Sequence, residues 1–203
     1  MSLNLPSPSE LRLITQSLAM LDAILCPEWE YRYFSFNGHW GPGEEMASMR
    51  NGEGDEWFIL FDATGVALKG YAHELATDRD FPQNVQEQVP SEFSSFLNEP
   101  AFSMQHATFC FWCRNIDCAW NKVSSVVLED GANEMLALLL AGPSAYQSWA
   151  EDYYEVSISN DAVQALFSHQ PLDDSVILKL NPDADLGTVY AEAKEIAYPI
   201  GTQ

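Results

Sequence analysis

The apolar positions of this chain change period along its length, and each change marks a different element. Leu11, Ile14, Leu18, Leu21 and Leu25 recur at alternating three- and four-residue intervals, the stripe of an amphipathic helix. Ser7-Pro8-Ser9-Glu10 reads as its capping box, with Ser7 at the N-cap, Pro8 at the first helical position and Glu10 closing the box, and Pro27 stops the run. Over residues 29–37 the period drops to two, placing Tyr31, Tyr33 and Ser35 on one face and Arg32, Phe34 and Phe36 on the other. Gly38–Gly43 reads as a loop, Met46–Arg50 as a short strand and Asn51-Gly52 as a turn. Trp57–Phe61 and Val66–Tyr71 form a predicted hairpin across Asp62-Ala63-Thr64-Gly65, and strands this close in sequence pair antiparallel.

Beyond the hairpin, residues 76–89 are polar and read as turns, Ser91–Leu97 as a short helix and Ala107–Trp112 as a strand. Helices are predicted over Ala132–Ala141, ended by Gly142-Pro143, over Ser144–Ala150, over Asp161–Phe167 with Asn160 as cap, and over Ala184–Ala197. Leu172–Leu180 fits a helix or a buried strand, and its spacing favours the helix. The expected fold is α+β: an antiparallel sheet of about five strands with helices packed on one face. One domain over 1–203 is expected, strand-rich in 28–112 and helix-rich in 130–198.

Charge narrows the partners. The chain of 203 residues carries 30 acidic and 9 basic side chains, a formal charge of −21, spread as −11 over residues 1–100 and −10 over 101–203. With 47% hydrophobic residues it has enough apolar mass for a core, so the acidity does not signal disorder. Such a charge repels phosphate backbones and anionic lipid and favours basic proteins. Neither nucleic acid nor membrane is therefore an expected partner. No apolar run is long enough to span a bilayer, and no leader pattern precedes the first helix. Four cysteines without a scaffold spacing and no glycosylation sequon point to a reduced, cytoplasmic protein.

No complete catalytic or cofactor motif is present, and none is expected to act. His73-Glu74 opens like a zinc-protease helix, but Thr77 stands where the second histidine belongs. His106, Cys110, Cys113 and Cys118 are the one set with zinc-ligand chemistry, yet a strand over Phe109–Trp112 sends Cys110 and Cys113 to opposite faces, so no metal is expected. Glu44, Glu45, Glu53, Asp55 and Glu56 read as a solvated hairpin tip. Gly52-Glu53-Gly54 lacks the third glycine of a phosphate cradle. Arg50 stands out because arginine is scarce here, and with Lys69 and His73 it lies in the strand-rich block. If the strands form a meander, these three, beside Glu74, mark one end of the sheet as a candidate anion site, and that is the basis of an alternative enzymatic reading. Trp40, flanked by glycines, is the candidate anchor for a protein partner.

The segments WEYRYFSFN, SMRNGEGDEWFILF, KGYAHE and NEPAFSMQHATFCFW together resemble a group of uncharacterised bacterial proteins of about this length. Val89-Pro90-Ser91-Glu92-Phe93-Ser94-Ser95-Phe96-Leu97 is similar to the proline-aromatic-Phe-Leu helix of the SMI1/KNR4 superfamily. That resemblance implies a toxin-neutralising immunity protein. The combined expectation is a non-enzymatic acidic protein that binds a basic protein partner.

Overall fold

The computed structural model describes residues 3–75, 80–117, 119–127 and 129–201. Helix α1 spans Pro8–Leu25 and opens on the expected capping box: the Ser7 hydroxyl accepts from the Glu10 N–H at 3.3 Å, and the Glu10 carboxylate accepts from the Ser7 N–H at 3.0 Å. Leu11, Leu18, Met20 and Leu21 are fully buried. Two of its buried polar side chains tie the helix to distant segments, although Gln16 Oε1 has no partner among the described residues. Ser17 donates to the Leu166 carbonyl at 2.8 Å, and Gln16 to the Ile196 carbonyl at 3.0 Å.

Six strands follow as an antiparallel meander in sequence order: β1 Phe34–Gly41, β2 Glu44–Arg50, β3 Glu56–Phe61, β4 Gly65–Tyr71, β5 Phe109–Arg114 and β6 Asn121–Lys122. The fold is thus α+β, with one short strand more than the expected five. Alternation divides the side chains cleanly. Phe34, Phe36, Ala47, Met49, Trp57, Ile59, Phe61, Val66, Leu68, Phe109 and Phe111 line one face, packed beneath α1 and the C-terminal helices. Those helices are α4 Ala132–Met135, α5 Ala137–Leu140, α6 Pro143–Tyr153, α7 Asn160–Phe167, α8 Asp174–Leu180 and α9 Leu186–Glu195. Preceding them are α2 Phe81–Gln88 and α3 Ser94–Asn98.

The opposite face is also covered, which corrects the expectation of helices on one face only. Met46, Phe58, Leu60, Ala67 and Cys110 pack there against Phe81, Val85, Phe93, Phe96 and Phe102, supplied by α2, α3 and the 3-10 turns between residues 91 and 106. A sheet buried on both sides needs strands apolar at every position, and Trp57–Phe61 is such a run. Close packing also sets Gly70, where an added Cβ would lie 2.0 Å from the Phe109 ring.

Other boundaries moved for identifiable reasons. Strand β1 begins at Phe34 because Trp29–Tyr31 forms a 3-10 turn, and it runs on through the expected Gly38–Gly43 loop, turning at Gly43 with φ of 77°. Residues 81–88 are helical where turns were expected, because Phe81 and Val85, one turn apart, supply a narrow buried stripe. Residues 132–140 break at Leu136 into two short helices. Ser159, accepting from the Ala162 N–H, caps α7 in place of Asn160.

The edge of β1 is sealed from within. Asp22, on the buried side of α1, accepts the Phe34 N–H at 2.7 Å and the Tyr146 hydroxyl at 2.6 Å. Burial, against the pull of those hydrogen bonds, pushes its pKa up to about 6. Its carboxyl is wholly enclosed, so it holds the edge strand and cannot reach a substrate. Among the described residues, no helix is long and apolar enough to cross a membrane.

Candidate functional site

The meander puts Arg50 and Lys69 on the same face, two strands apart: Ser48 pairs with Phe58, and Phe58 pairs with Lys69. Their surroundings differ. Lys69 is fully buried, with its ammonium 3.0 Å from Glu56 and over the rings of Phe58 and Tyr71. Burial lowers its pKa, and the Glu56 contact opposes that shift. His73 lies past the end of β4, where the tip of the β2–β3 hairpin takes it up: Asp55 Oδ1 is 2.9 Å from both its backbone N and its Nδ1. That hydrogen bond raises its pKa. Glu74 is exposed, 3.9 Å from His73 Nε2. Lys69 and His73 are each engaged by an acid of their own, and neither opens into a cleft with Arg50.

Arg50 does open into a cleft, of about 340 Å³, shared with Trp40. Its guanidinium lies 5.3 Å from the Trp29 ring centroid and 5.5 Å from that of Phe58. Among the described residues Arg12, Arg32, Lys69, Arg114 and Lys122 each hold a carboxylate, whereas Arg50, like Lys179 and Lys194, holds none, and Arg50 is the arginine that does so within a cleft. Its cross-strand neighbour, Glu56, is turned to Lys69. Trp40 sits near the far end of β1, half-buried, stacked on Phe102 at 6.1 Å and donating to Glu99 at 3.3 Å. It belongs to the second core's margin and is not a free loop anchor.

The turn before β1 and the end of α6 also carry exposed aromatics with acids beside them, and Trp29 is shared with the Arg50 cleft. Trp29 and Tyr31, on the 3-10 turn before β1, are 56% and 64% exposed, and Tyr153, at the end of α6, is 42% exposed. Around Tyr153 the rings interlock: Tyr33 lies 4.7 Å from Trp149 and 5.5 Å from Tyr153, and Trp149 stacks on Tyr153 at 4.8 Å. Acids border these aromatics. Glu28 and Glu30 flank Trp29, and Asp152 and Glu155 flank Tyr153. These four are exposed and, with Glu53, have no ion pair among the described residues. Tyr33 is pushed up to about 12, mainly by burial, and its pKa also registers Asp55 and Glu53. Tyr153 is raised as well, again chiefly by burial, with Glu53 contributing. Beside Tyr33 a hollow of about 240 Å³ brings Glu53, Asp55, Glu74 and Glu134 around Met49, Leu75 and Met135.

The other expected groupings are dispersed. Cys110 faces the second core, while Cys113, three positions on along β5, projects to the other side; both are buried. Cys118 and Thr77 lie outside the described residues. The five carboxylates around the glycines sit at both ends of β2, so they do not form one tip. Glu45 pairs with Arg12 at one end, and Asp55 and Glu56 pair with His73 and Lys69 at the other. Sequence reasoning missed Tyr153, which α6 carries in from over a hundred residues downstream. Its one local cue was the exposed aromatic pair within Asp152-Tyr153-Tyr154-Glu155.

The arrangement defines a sheet-based α+β protein with an aromatic, acid-bordered surface. No protein-family model, no curated protein and no solved structure matches the chain.

Proposed function

We propose that this chain is a non-enzymatic, cytoplasmic binding protein for a basic protein partner, and that Trp29, Tyr31 and Tyr153 form the contact centre. The observation that carries this reading is that each of these large exposed aromatics has exposed, unpaired acids next to it in the chain: Glu28 and Glu30 beside Trp29 and Tyr31, and Asp152 and Glu155 beside Tyr153. Aromatic side chains dominate the binding energy of protein interfaces, and they need a rim that excludes water and selects charge. Here the rim is acidic. The hollow beside Tyr33 suits a lysine or arginine side chain, whose alkyl stem would lie on Met49 and Met135 while its head meets Glu53 and Glu134.

The overall charge of −21 supports the same reading at longer range, since opposite fields accelerate encounter. The likeness of Val89–Leu97 to the SMI1/KNR4 helix favours the narrower role of an immunity protein that neutralises a basic toxin. Its pairing of Lys69 with Glu56 and of His73 with Asp55 leaves the enzymatic alternative without a shared set of reacting groups.

The test is a pull-down from the source cell with wild-type protein and with a Tyr31→Ala, Tyr153→Ala double variant, at low and high salt. The wild type should retain a basic protein, association should slow steeply with salt, and the double variant should lose the partner by about 2 kcal/mol or more per anchor while melting normally. Recovery of no basic protein at any salt, or retention by the variant equal to wild type, would refute the proposal.

A further inference from the structure

The Arg50 cleft has properties that binding a basic protein does not call for. On a protein so rich in carboxylates, Arg50 keeps its N–H donors free of any acid among the described residues, and two aromatic rings hold it in place. Ser48, two residues back on the same face of β2, lines the cleft and supplies a hydroxyl beside Arg50. Its cross-strand neighbour Ser35 also lines the cleft. The walls beyond are apolar: Phe58, Met46 and the half-buried Trp40. From the Arg50 end to Trp40 the floor is about 16–20 Å of strand, at roughly 3.3 Å per residue. The volume of about 340 Å³ falls in the range of small-molecule sites.

Charge limits the ligand to one negative group. The second cation in the wall, Arg32, is already saturated by Glu192 at 2.8 and 3.2 Å and by the carbonyls of Cys26 and Pro27. Glu195 stands exposed on the α9 side of the cleft. A phosphate dianion would meet one free arginine, a nearby carboxylate and a repulsive overall field, whereas a carboxylate matches the arginine fork with a single charge.

We infer that this cleft binds a singly charged aromatic or apolar carboxylic acid, its carboxylate on Arg50 and the Ser48 hydroxyl and its body along Phe58, Met46 and Trp40. The site shares Trp29 with the proposed contact centre, but it is tested without a protein partner. The probes are 2-naphthoate, its uncharged counterpart 2-naphthamide and the cation 2-naphthylmethylammonium, titrated by protein-detected NMR. The acid should bind about tenfold more tightly than the amide, the advantage of one charge-assisted bond. Arg50→Gln should bring acid and amide to within about twofold, with the amide unchanged. Ser48→Ala should weaken the acid several-fold. The comparison of three probes on the wild type needs no variant, so a folding defect in Arg50→Gln leaves it decisive. An amide that binds as well as the acid, a cation that binds best, an acid preference that survives Arg50→Gln, or no saturable binding of any probe would each overturn the inference.

Discussion

Tyr146→Phe removes one hydroxyl from the core and should reveal how the buried carboxyl of Asp22 is held. The hydroxyl donates to Asp22 Oδ1 at 2.6 Å, and both residues are fully buried, so the substitution leaves no cavity larger than an oxygen. Asp22 has an ordinary pKa of 3.8 and is pushed up to about 6 in the fold, chiefly by burial. The sign follows directly. Below the ordinary value the group is protonated in both states and costs nothing. Between 3.8 and about 6 the unfolded chain ionises first, so folding loses stability as pH rises through that window. Above it the penalty is constant at about 3 kcal/mol, from roughly two pKa units.

Losing the Tyr146 donor raises the folded pKa further. At pH 8 the wild-type bond is to a carboxylate, and its loss should cost about 1.5–3 kcal/mol. At pH 5 the carboxyl is largely protonated in the fold, and the bond lost is an ordinary one, about 0.5–1.5 kcal/mol. The assay is urea denaturation of both proteins at pH 5 and pH 8, both above the pI of about 4.2, where the protein would precipitate. Every other titrating group cancels in the difference. A destabilisation that is equal at the two pH values, or larger at pH 5, would show that Asp22 does not carry its charge against Tyr146.

Two further stability outcomes follow from the same core. Ser7→Ala should cost about 0.5–2 kcal/mol by opening the capping box of α1, and Leu18→Ala about 2–5 kcal/mol by emptying a fully buried site; equal and negligible effects in denaturant titrations would mean that α1 is not packed. Lys69→Met should be close to neutral or stabilising, because Glu56 keeps access to water, while Glu56→Gln should cost about 3–5 kcal/mol by leaving a buried ammonium unpaired; comparable losses in the two variants, measured the same way, would contradict that asymmetry.

What the residues announced in advance was whatever they settle locally. Ser7-Pro8-Ser9-Glu10 and the leucine stripe specify a helix end and a helix face without help from the rest of the chain, and α1 formed as read. The β3–β4 hairpin was equally legible. The second helical layer was written in the unbroken Trp57–Phe61 run, but an apolar run says only that a strand is buried on both sides and not what covers it. Helix α2 escaped because two apolar residues among polar ones make too faint a stripe until Phe81 and Val85 find Phe58 and its neighbours to pack against. At the candidate sites, scarcity drew attention to Arg50, which the structure places in a cleft without an acid partner among the described residues. It could not separate Arg50 from Lys69, whose Glu56 partner depends on strand register. Tyr153 joined Trp29 and Tyr31 only through the packing of α6.

The two surfaces use the same net charge in opposite senses, and this distinguishes them physically. For a basic partner docking on Trp29, Tyr31 and Tyr153, the field of 30 carboxylates is attractive over distances longer than contact, and added salt shortens its reach to about 8 Å or less. Encounter slows, while the aromatic centre that governs departure is unaffected. For an acid entering the Arg50 cleft, that field is a barrier at a distance and the exposed Arg50 an attraction at contact. Moderate salt screens the distant repulsion more than the close contact, so affinity for the acid should hold or rise where association with the basic partner falls. The same charge thus serves both surfaces, recruiting a basic partner and keeping multiply charged anions from the cleft, while Trp29, common to both, is where occupancy of one would be felt by the other.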